Sequence, residues 1–436
     1  MIRKVYLTGV RFLTEKTKLL KELQEEVDKC INCGFCESVC PTLPASGFRS
    51  SIGARGRVDI ASALLGELEK VGKSSLEISE SFYSCLDCFA CLQVCPAGVN
   101  AGKVSHLGKS IVADSSTLEL NERKAIADMI VSVTMKTMNP LGLRKECSKW
   151  SGGLEFNSSS DTLFYTGNMY QLMPYSKKLS SIERMMNQKA TDTMARLVSS
   201  HPGLSRLTGL MKDNVLQREM NSFLRGIYTL LSAAKIEMNY LGEEEPYPGT
   251  FIFDLGYISE FRNYAERVTE MFHEKGVRRI ITVDPHTYDL LKVQYPKYVT
   301  EFDFDVHFYT DFLDALIFDK DQETTTLHEP CHFTLREGSY NGPLKYASKI
   351  TDVVLPDRSG KKLMCCGGPD ELLFSDLSDE ISEERFQQLK NTGARKILTA
   401  CPICYSNLRK DSSVQDLSTY LKTHLKTGNL DAQGVR

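Results

Sequence analysis

The chain has 436 residues, 42% of them hydrophobic, with 53 basic and 56 acidic side chains and a net charge of -3. Such a length predicts a globular protein of about three domains, and the near balance of charge excludes a nucleic-acid footprint. No apolar run approaches the roughly 18 residues of a membrane span; the nearest, Phe223 to Ile236, is broken by Arg225 and Lys235.

The first residues, Met1-Ile2-Arg3-Lys4, do not open a secretory signal, so a reducing, cytoplasmic setting is expected in which 14 cysteines stay available to metal. Thr14 to Lys29 predicts a helix, with Leu19, Leu20, Leu23 and Val27 along one face and Thr14 as its cap. That helix leads into Cys30-x2-Cys33-x2-Cys36-x3-Cys40-Pro41, and Cys85-x2-Cys88-x2-Cys91-x3-Cys95-Pro96 repeats the same spacing. This is the two-cluster ferredoxin pattern: three cysteines wrap one cluster, and the proline after the fourth sends that cysteine to the other cluster. Cys30, Cys33, Cys36 and Cys95 are assigned to one 4Fe-4S cluster, and Cys85, Cys88, Cys91 and Cys40 to the second. Zinc gains nothing from a cysteine triplet, and disulfides do not suit a reducing compartment. Ala61, Leu64, Leu65 and Leu68 repeat at helical spacing between the runs, so this module (1–110) is read as a helical ferredoxin.

Residues 111–160 read as a helical linker, broken at Asn139-Pro140-Leu141-Gly142 and closed by a polar run from Ser151 to Ser160. Cys147 lies alone there and is read as a packed thiol. Beyond Asp161, β-like runs at Thr162 to Tyr165, Ile236 to Leu241, Arg279 to Val283, Thr324 to Leu327 and Lys396 to Thr399 alternate with helical segments, which argues for α/β structure.

Gly276 to Tyr288 lines up with Gly393 to Tyr405, matching at Gly, Arg, Ile, Thr, Pro and Tyr. Upstream, Gly167-Asn168 corresponds to Pro330-Cys331 and Tyr247-Pro248-Gly249 to Cys365-Cys366-Gly367. A tandem duplication follows: a degenerate copy over 161–300, with a helical insertion at about 177–225, and an intact copy over 301–436. At the cysteine positions the first copy carries Asn168, Tyr247, Pro248, Asp284 and Thr287, which makes it a scaffold. The insertion is read as extra packing or as a docking surface for a partner subunit. The second copy keeps Cys331, Cys365, Cys366, Cys401 and Cys404, one more thiolate than a cubane needs. Gly367 and Gly368 either bring backbone amides onto cluster sulfur or form an ordinary turn, and structural zinc is the weaker alternative at this site.

Both ferredoxin runs, Ala54-Arg55-Gly56-Arg57, Glu329-Pro330-Cys331-His332, Cys365-Cys366-Gly367-Gly368 and Cys401-Pro402-Ile403-Cys404 give the whole chain a resemblance. It is similar to the CCG-domain iron-sulfur subunits of heterodisulfide reductase, glycolate oxidase and anaerobic glycerol-3-phosphate dehydrogenase. The resemblance implies a multidomain α+β fold and a third 4Fe-4S cluster, cubane or non-cubane, at the CCG cysteines. It also implies disulfide reduction there, with Cys365 and Cys366 at the reacting centre. The bare first copy excludes a mechanism with two neighbouring catalytic clusters. The family keeps an Arg-Gly-Arg at Arg55 and Arg57, read as cluster or interface electrostatics against a plain surface pair. His332 is read as a proton donor or as a histidine supporting the cluster environment.

The expected function is an iron-sulfur subunit of an oxidoreductase complex, relaying electrons through two clusters to or from a third. Its expected partners are a flavoprotein and a membrane quinone or cytochrome subunit, with a disulfide or thiol as candidate substrate. The alternative is a pure conduit from an FAD-linked 2-hydroxyacid or glycerol-3-phosphate dehydrogenase to quinone. No Gly-x-Gly-x-x-Gly fingerprint is found, so no flavin or NAD site is expected in this chain.

Overall fold

A computed structural model describes residues 17–71, 78–113, 122–185, 188–201, 203–205, 209, 211–336 and 340–426. The first helix covers residues 17–27; its expected cap, Thr14, lies outside the described residues. Leu23 and Val27 are buried, as their spacing requires. Between the cysteine runs stands a helix at Ala54–Val71, whose Ala54, Val58, Ala61 and Leu64 form one buried stripe. It packs against Ala101–Ala113 through Val104, Leu107 and Ile111.

Two small parallel sheets follow. β1 (Thr162–Tyr165), β2 (Arg279–Thr282) and β3 (Asp305–Phe308) pair in that order, as do β4 (Thr325–His328), β5 (Lys396–Thr399) and β6 (Val414–Asp416). Side chains alternate across a strand, so the first sheet serves two cores. Leu163, Tyr165, Ile280 and Val306 join the core that also contains Val58, Leu64 and Phe82 of the N-terminal helices. Phe164, Ile281 and Phe308 join the core shared with Leu327, Ile397 and Leu398 of the second sheet. The first sheet is thereby packed on both sides, between the cysteine-run module and the second sheet.

The expected strand at Ile236 to Leu241 is reduced to one bridge, Asn239 to Leu163. Lys235 (φ 60°) turns the chain in and Gly242 (φ 58°) turns it away, leaving room for a single paired residue at the edge of β1. β3 and β6, of four and three residues, are not among the expected strands; each sets charged or polar residues beside its apolar ones, and neither forms a β-like apolar run.

The segment read as a linker is packed. The helix Ala101–Ala113 runs across residue 110, and Glu122–Thr137 follows it. Trp150 is 1% exposed, donates its Nε1–H to Tyr240 Oη at 3.0 Å and lies against Phe164. Cys147 is buried with Leu143 and Tyr175. The region read as an insertion ends inside helix Asn214–Ala233, which buries Leu224, Ile227, Leu230 and Leu231 in the core next to the second sheet and approaches Ser418 at Gly226.

Candidate metal centres

The first cysteine run leaves helix 17–27 through Cys30, whose amide closes on Val27, and bends at Gly34 (φ 80°) into a 3-10 turn at Phe35–Ser38. Cys33 is exposed, while Cys30, Cys36 and Cys95 are half-buried. Burial pushes the Cys36 thiol up to about 12, with further contributions from Glu37 and from the sulfurs of Cys40, Cys30 and Cys95. Cys40 and Cys95, the last cysteines of the two runs, thus both contribute at Cys36.

In the second group, Cys40, Cys85, Cys88 and Cys91 line one cavity, together with Arg57, Phe89 and Gly102. Burial raises the Cys88 and Cys91 thiols, and each is raised further by Cys85 and Cys40. Left-handed backbone at Asp87 (φ 47°) and Phe89 (φ 62°) wraps the loop around this cavity. Cys40, the last cysteine of the first run, thus sits with the cysteines of the second.

Arg57 is 1% exposed. Its Nε donates to Ser81 O at 2.7 Å, Nη1 to Thr42 Oγ1 at 3.1 Å and to Cys40 Sγ at 3.8 Å, and Nη2 to Ser84 O at 3.0 Å. A guanidinium buried this deeply calls for anionic neighbours; Cys85, Cys40 and Asp370 supply them. Four thiolates on an iron-sulfur core suit this cavity and this cation. Gly56 is required between the two arginines, since a Cβ there would stand 1.9 Å from Ser50 O. Arg55 is different: 38% exposed, it reaches Glu37 at 3.6 Å beside the first group.

Five of the six remaining cysteines gather at the carboxyl ends of β4 and β5, where open parallel sheets place their sites. β4 ends at His328 and leads into the turn Cys331–Thr334, and Cys401 caps the helix Pro402–Leu408 after β5. Gly367 (φ 82°) turns the vicinal pair, a conformation that disfavours any side chain. The Gly368 amide donates to Cys366 Sγ at 3.5 Å, and Asn407 Nδ2 anchors Cys366 O at 2.6 Å. The thiols touch in sequence, Cys331 to Cys365, Cys365 to Cys366, Cys366 to Cys404 and Cys404 to Cys401, and none is more than 5% exposed. Hydrogen bonds from Cys365 and Cys404 pull the Cys366 thiol down to about 6. Cys88 of the second group interacts electrostatically with Cys331 and Cys365. A dry cluster of five thiols, one stabilised as thiolate, fits an iron-sulfur cluster.

Two neighbours were not anticipated from the sequence. A ring nitrogen of His328 and the sulfurs of Cys366 and Cys404 lie within 4.8 Å of one another. Arg385 is fully buried, donates its Nε–H to His328 Nδ1 at 3.1 Å and Nη1–H to Arg358 O at 2.8 Å. The position of His328, at the end of a parallel strand and three residues before Cys331, was the available signal; nothing local marks Arg385.

His332 is 5% exposed and turns to Asp289 from the first half, Nδ1 to Oδ2 at 3.0 Å, with the ring of His286 3.7 Å away. Burial and Arg336 depress its pKa well below the ordinary value. Arg336 ties the regions together: it donates to Asp289 Oδ2 at 3.0 Å and to Asp87 O at 2.8 Å, and covers the Phe89 ring. Arg358 Nη2 to Val39 O at 2.7 Å and Gln93 Nε2 to Leu335 O at 3.1 Å add to the seam between the second cysteine group and the CCG cysteines.

Residues 26–99 match the family of the 4Fe-4S dicluster domain, and residues 325–409 match the Cysteine-rich domain. A dihydromethanophenazine:CoB-CoM heterodisulfide reductase subunit of Methanosarcina barkeri is 23% identical over 90% of this chain and 91% of its own length. The probable glycolate oxidase iron-sulfur subunit of Bacillus subtilis is 23% identical over 96% of this chain and 98% of its own. The probable iron-sulfur-binding oxidoreductase FadF of Bacillus subtilis is 22% identical over 91% of this chain, which spans 58% of that longer protein. No described helix is long and apolar enough to cross a membrane. The chain thus carries a 4Fe-4S dicluster domain and a Cysteine-rich domain in one polypeptide, and over most of its length it is similar to iron-sulfur subunits of oxidoreductases of the heterodisulfide reductase and glycolate oxidase type.

Proposed function

We propose that this electron-transfer subunit holds three iron-sulfur clusters in series and that the third is its reacting centre. Cys30, Cys33, Cys36 and Cys95 would hold the first, and Cys85, Cys88, Cys91 and Cys40 the second. Cys331, Cys365, Cys366, Cys401 and Cys404 would hold the third, of cubane or non-cubane type. Bound clusters supply one-electron transfer, and the third supplies iron at which a disulfide can be reduced.

The observation that supports this reading is the seam between the cysteine runs and the CCG turn, where Gln93 Nε2 donates to Leu335 O at 3.1 Å and Arg358 Nη2 to Val39 O at 2.7 Å. The chain's own groups prepare each site. Arg57 offers a buried positive charge to the second cluster, Arg55 a surface one near the first, and the Gly367 and Gly368 turn a backbone donor to the third. His332, fixed by Asp289, would keep the Cys331 turn in place rather than deliver a proton.

The first half reads as the degenerate copy of a duplication. Gly249 (φ 90°) stands where Gly367 (φ 82°) stands, and Asp284 opens a helix as Cys401 does. Electrons would enter or leave through a flavoprotein and a membrane quinone or cytochrome subunit.

A second reading gives the CCG site structural zinc, because His328, Cys366 and Cys404 form a compact nitrogen and sulfur set. Metal analysis of anaerobically purified protein separates the two. Three clusters require about twelve iron per chain and little zinc; about eight iron with one zinc would overturn the catalytic reading.

A further inference from the structure

One buried cation beside the CCG cysteines has no task in the reading above. Helix Ser375–Lys390 buries Ser378, Ser382, Arg385 and Leu389 along one stripe, and helix Ile258–Glu274 in the first half buries Phe261, Ala265, Val268 and Phe272 at the same spacing. The two helices begin equally far ahead of β5 and β2, in the register that aligns Gly393 with Gly276. In that register Arg385 stands where Val268 stands, and Ser378 and Ser382 where Phe261 and Ala265 stand. β4 likewise ends on His328 where β1 ends on Tyr165. The half that carries the cysteines has a buried polar stripe, and the half without them an apolar one.

Val268 shows that packing at this place needs no charge. Arg385 is nonetheless 0% exposed, and every acceptor it reaches is neutral: Nε donates to His328 Nδ1 at 3.1 Å, and Nη1 to Arg358 O at 2.8 Å and Gln388 Oε1 at 3.0 Å. Its Nη2 has no hydrogen-bond partner. A guanidinium so far from water is costly unless an anion balances it. Beyond His328 stand two candidates for that anion, the sulfurs of Cys366 and Cys404, within 4.8 Å of a ring nitrogen.

The same contact fixes the histidine. An arginine Nε–H can only donate, so His328 Nδ1 accepts and the ring hydrogen is on Nε2. His328, 1% exposed, then has no lone pair left for a metal and one N–H to offer.

We infer that Arg385 is a positioning residue for the CCG centre: it supplies the buried positive charge that balances the cluster's thiolates, and it holds His328 beside Cys366 and Cys404 as an N–H donor in place of a ligand. The inference rests on the proposed third cluster and adds what sets its potential. One-electron reduction adds a negative charge to that cluster and neither forms nor breaks a bond. A fixed cation and a fixed N–H dipole favour the more negative form, so both raise the reduction potential of this centre.

The test is a redox titration of the full chain, prepared anaerobically with its metal, followed by low-temperature paramagnetic resonance. Arg385→Gln keeps an N–H donor for His328 without the charge. At the parent's midpoint it should lower the ratio of reduced to oxidised CCG centre at least tenfold, equivalent to about 59 mV for one electron, with both dicluster centres unmoved. Arg385→Lys keeps the charge and should stay within about threefold of the parent. His328→Gln should retain about twelve iron per chain. In the parent with nitrogen-15 histidine, pulsed resonance should find only the weak coupling of a nitrogen outside the coordination sphere; this readout needs no change at position 385. The inference is overturned by a CCG centre unmoved in Arg385→Gln, by equal shifts at all three centres, or by Arg385→Lys falling as far as Arg385→Gln. Loss of iron in His328→Gln, or the coupling of a coordinated nitrogen that this variant abolishes, overturns it as well. Those outcomes leave the third cluster standing, whereas about eight iron and one zinc in the parent removes the cluster and the role of Arg385 together.

Discussion

The chain leaves β2 and β5 in nearly the same way and arrives at different chemistry. After β2, Asp284 (φ -135°, ψ 152°) precedes Pro285 and caps a helix; after β5, Cys401 (φ -140°, ψ 126°) precedes Pro402 and begins one. Asp284 Oδ1 accepts from the Thr287 amide at 2.9 Å, whereas the Cys401 side chain makes no capping bond. The backbone thus needs no sulfur. An oxygen side chain at this place is used up on the helix end, and a thiol is left free for metal. What distinguishes the two halves is the side chain at a shared corner, with the corner itself unchanged.

The strongest way to break that comparison is to change the sulfur side. Cys366→Ser should remove the CCG centre, with a loss of about four iron per chain and retention of both dicluster signals; iron analysis with low-temperature paramagnetic resonance reads it, and unchanged iron would sink the assignment. Next comes Arg57, the buried cation of the second group. Arg57→Met should lower the reduced fraction of that centre at a fixed poise about tenfold, equivalent to about 59 mV for one electron, while the first centre stays put. A redox titration that finds both centres shifted equally would count against it.

On the oxygen side, burial raises the Asp284 carboxyl to about 6. A carboxyl whose folded pKa lies above its unfolded one favours the folded state at low pH and loses that contribution as pH rises through about 6. Asp284→Asn keeps a cap without the charge. Its stability relative to the parent should therefore rise above that pH, by about 1–3 kcal/mol in denaturant unfolding at pH 8. Asp284→Ala removes the cap as well and should fall about 1 kcal/mol below Asn. The smallest effect belongs to Arg55→Ala, whose partly exposed contact with Glu37 should change stability by no more than about 0.5 kcal/mol. A larger loss in the same unfolding measurement would mean that Arg55 does more than pair on the surface.

Much of the first two sites could be read from spacing. A cysteine at every third position, followed by a proline, dictates which sulfurs share a turn, and the cross-over of Cys40 and Cys95 follows from the same rule. The two arginines shared one motif yet separated in space. Gly56 brings the backbone against Ser50, which sends Arg57 inward to Cys40 and leaves Arg55 at the surface. The strand expected at Ile236 to Leu241 failed because a β-like composition cannot report where a turn leaves nothing to pair with.

By itself the sequence determined the two cysteine runs, the vicinal pair with its glycines and the Cys-Pro-Ile-Cys turn, because these are spacings of a few positions. Only the tertiary structure decided that the second cysteine run meets the CCG turn through Gln93 and Leu335, that His328 and Arg385 stand behind Cys366, and that an apolar cavity with Glu371 lies behind Gly368. Those arrangements join residues tens to hundreds of positions apart. Burial of apolar side chains in the shared cores sets them, and that force is blind to chain order.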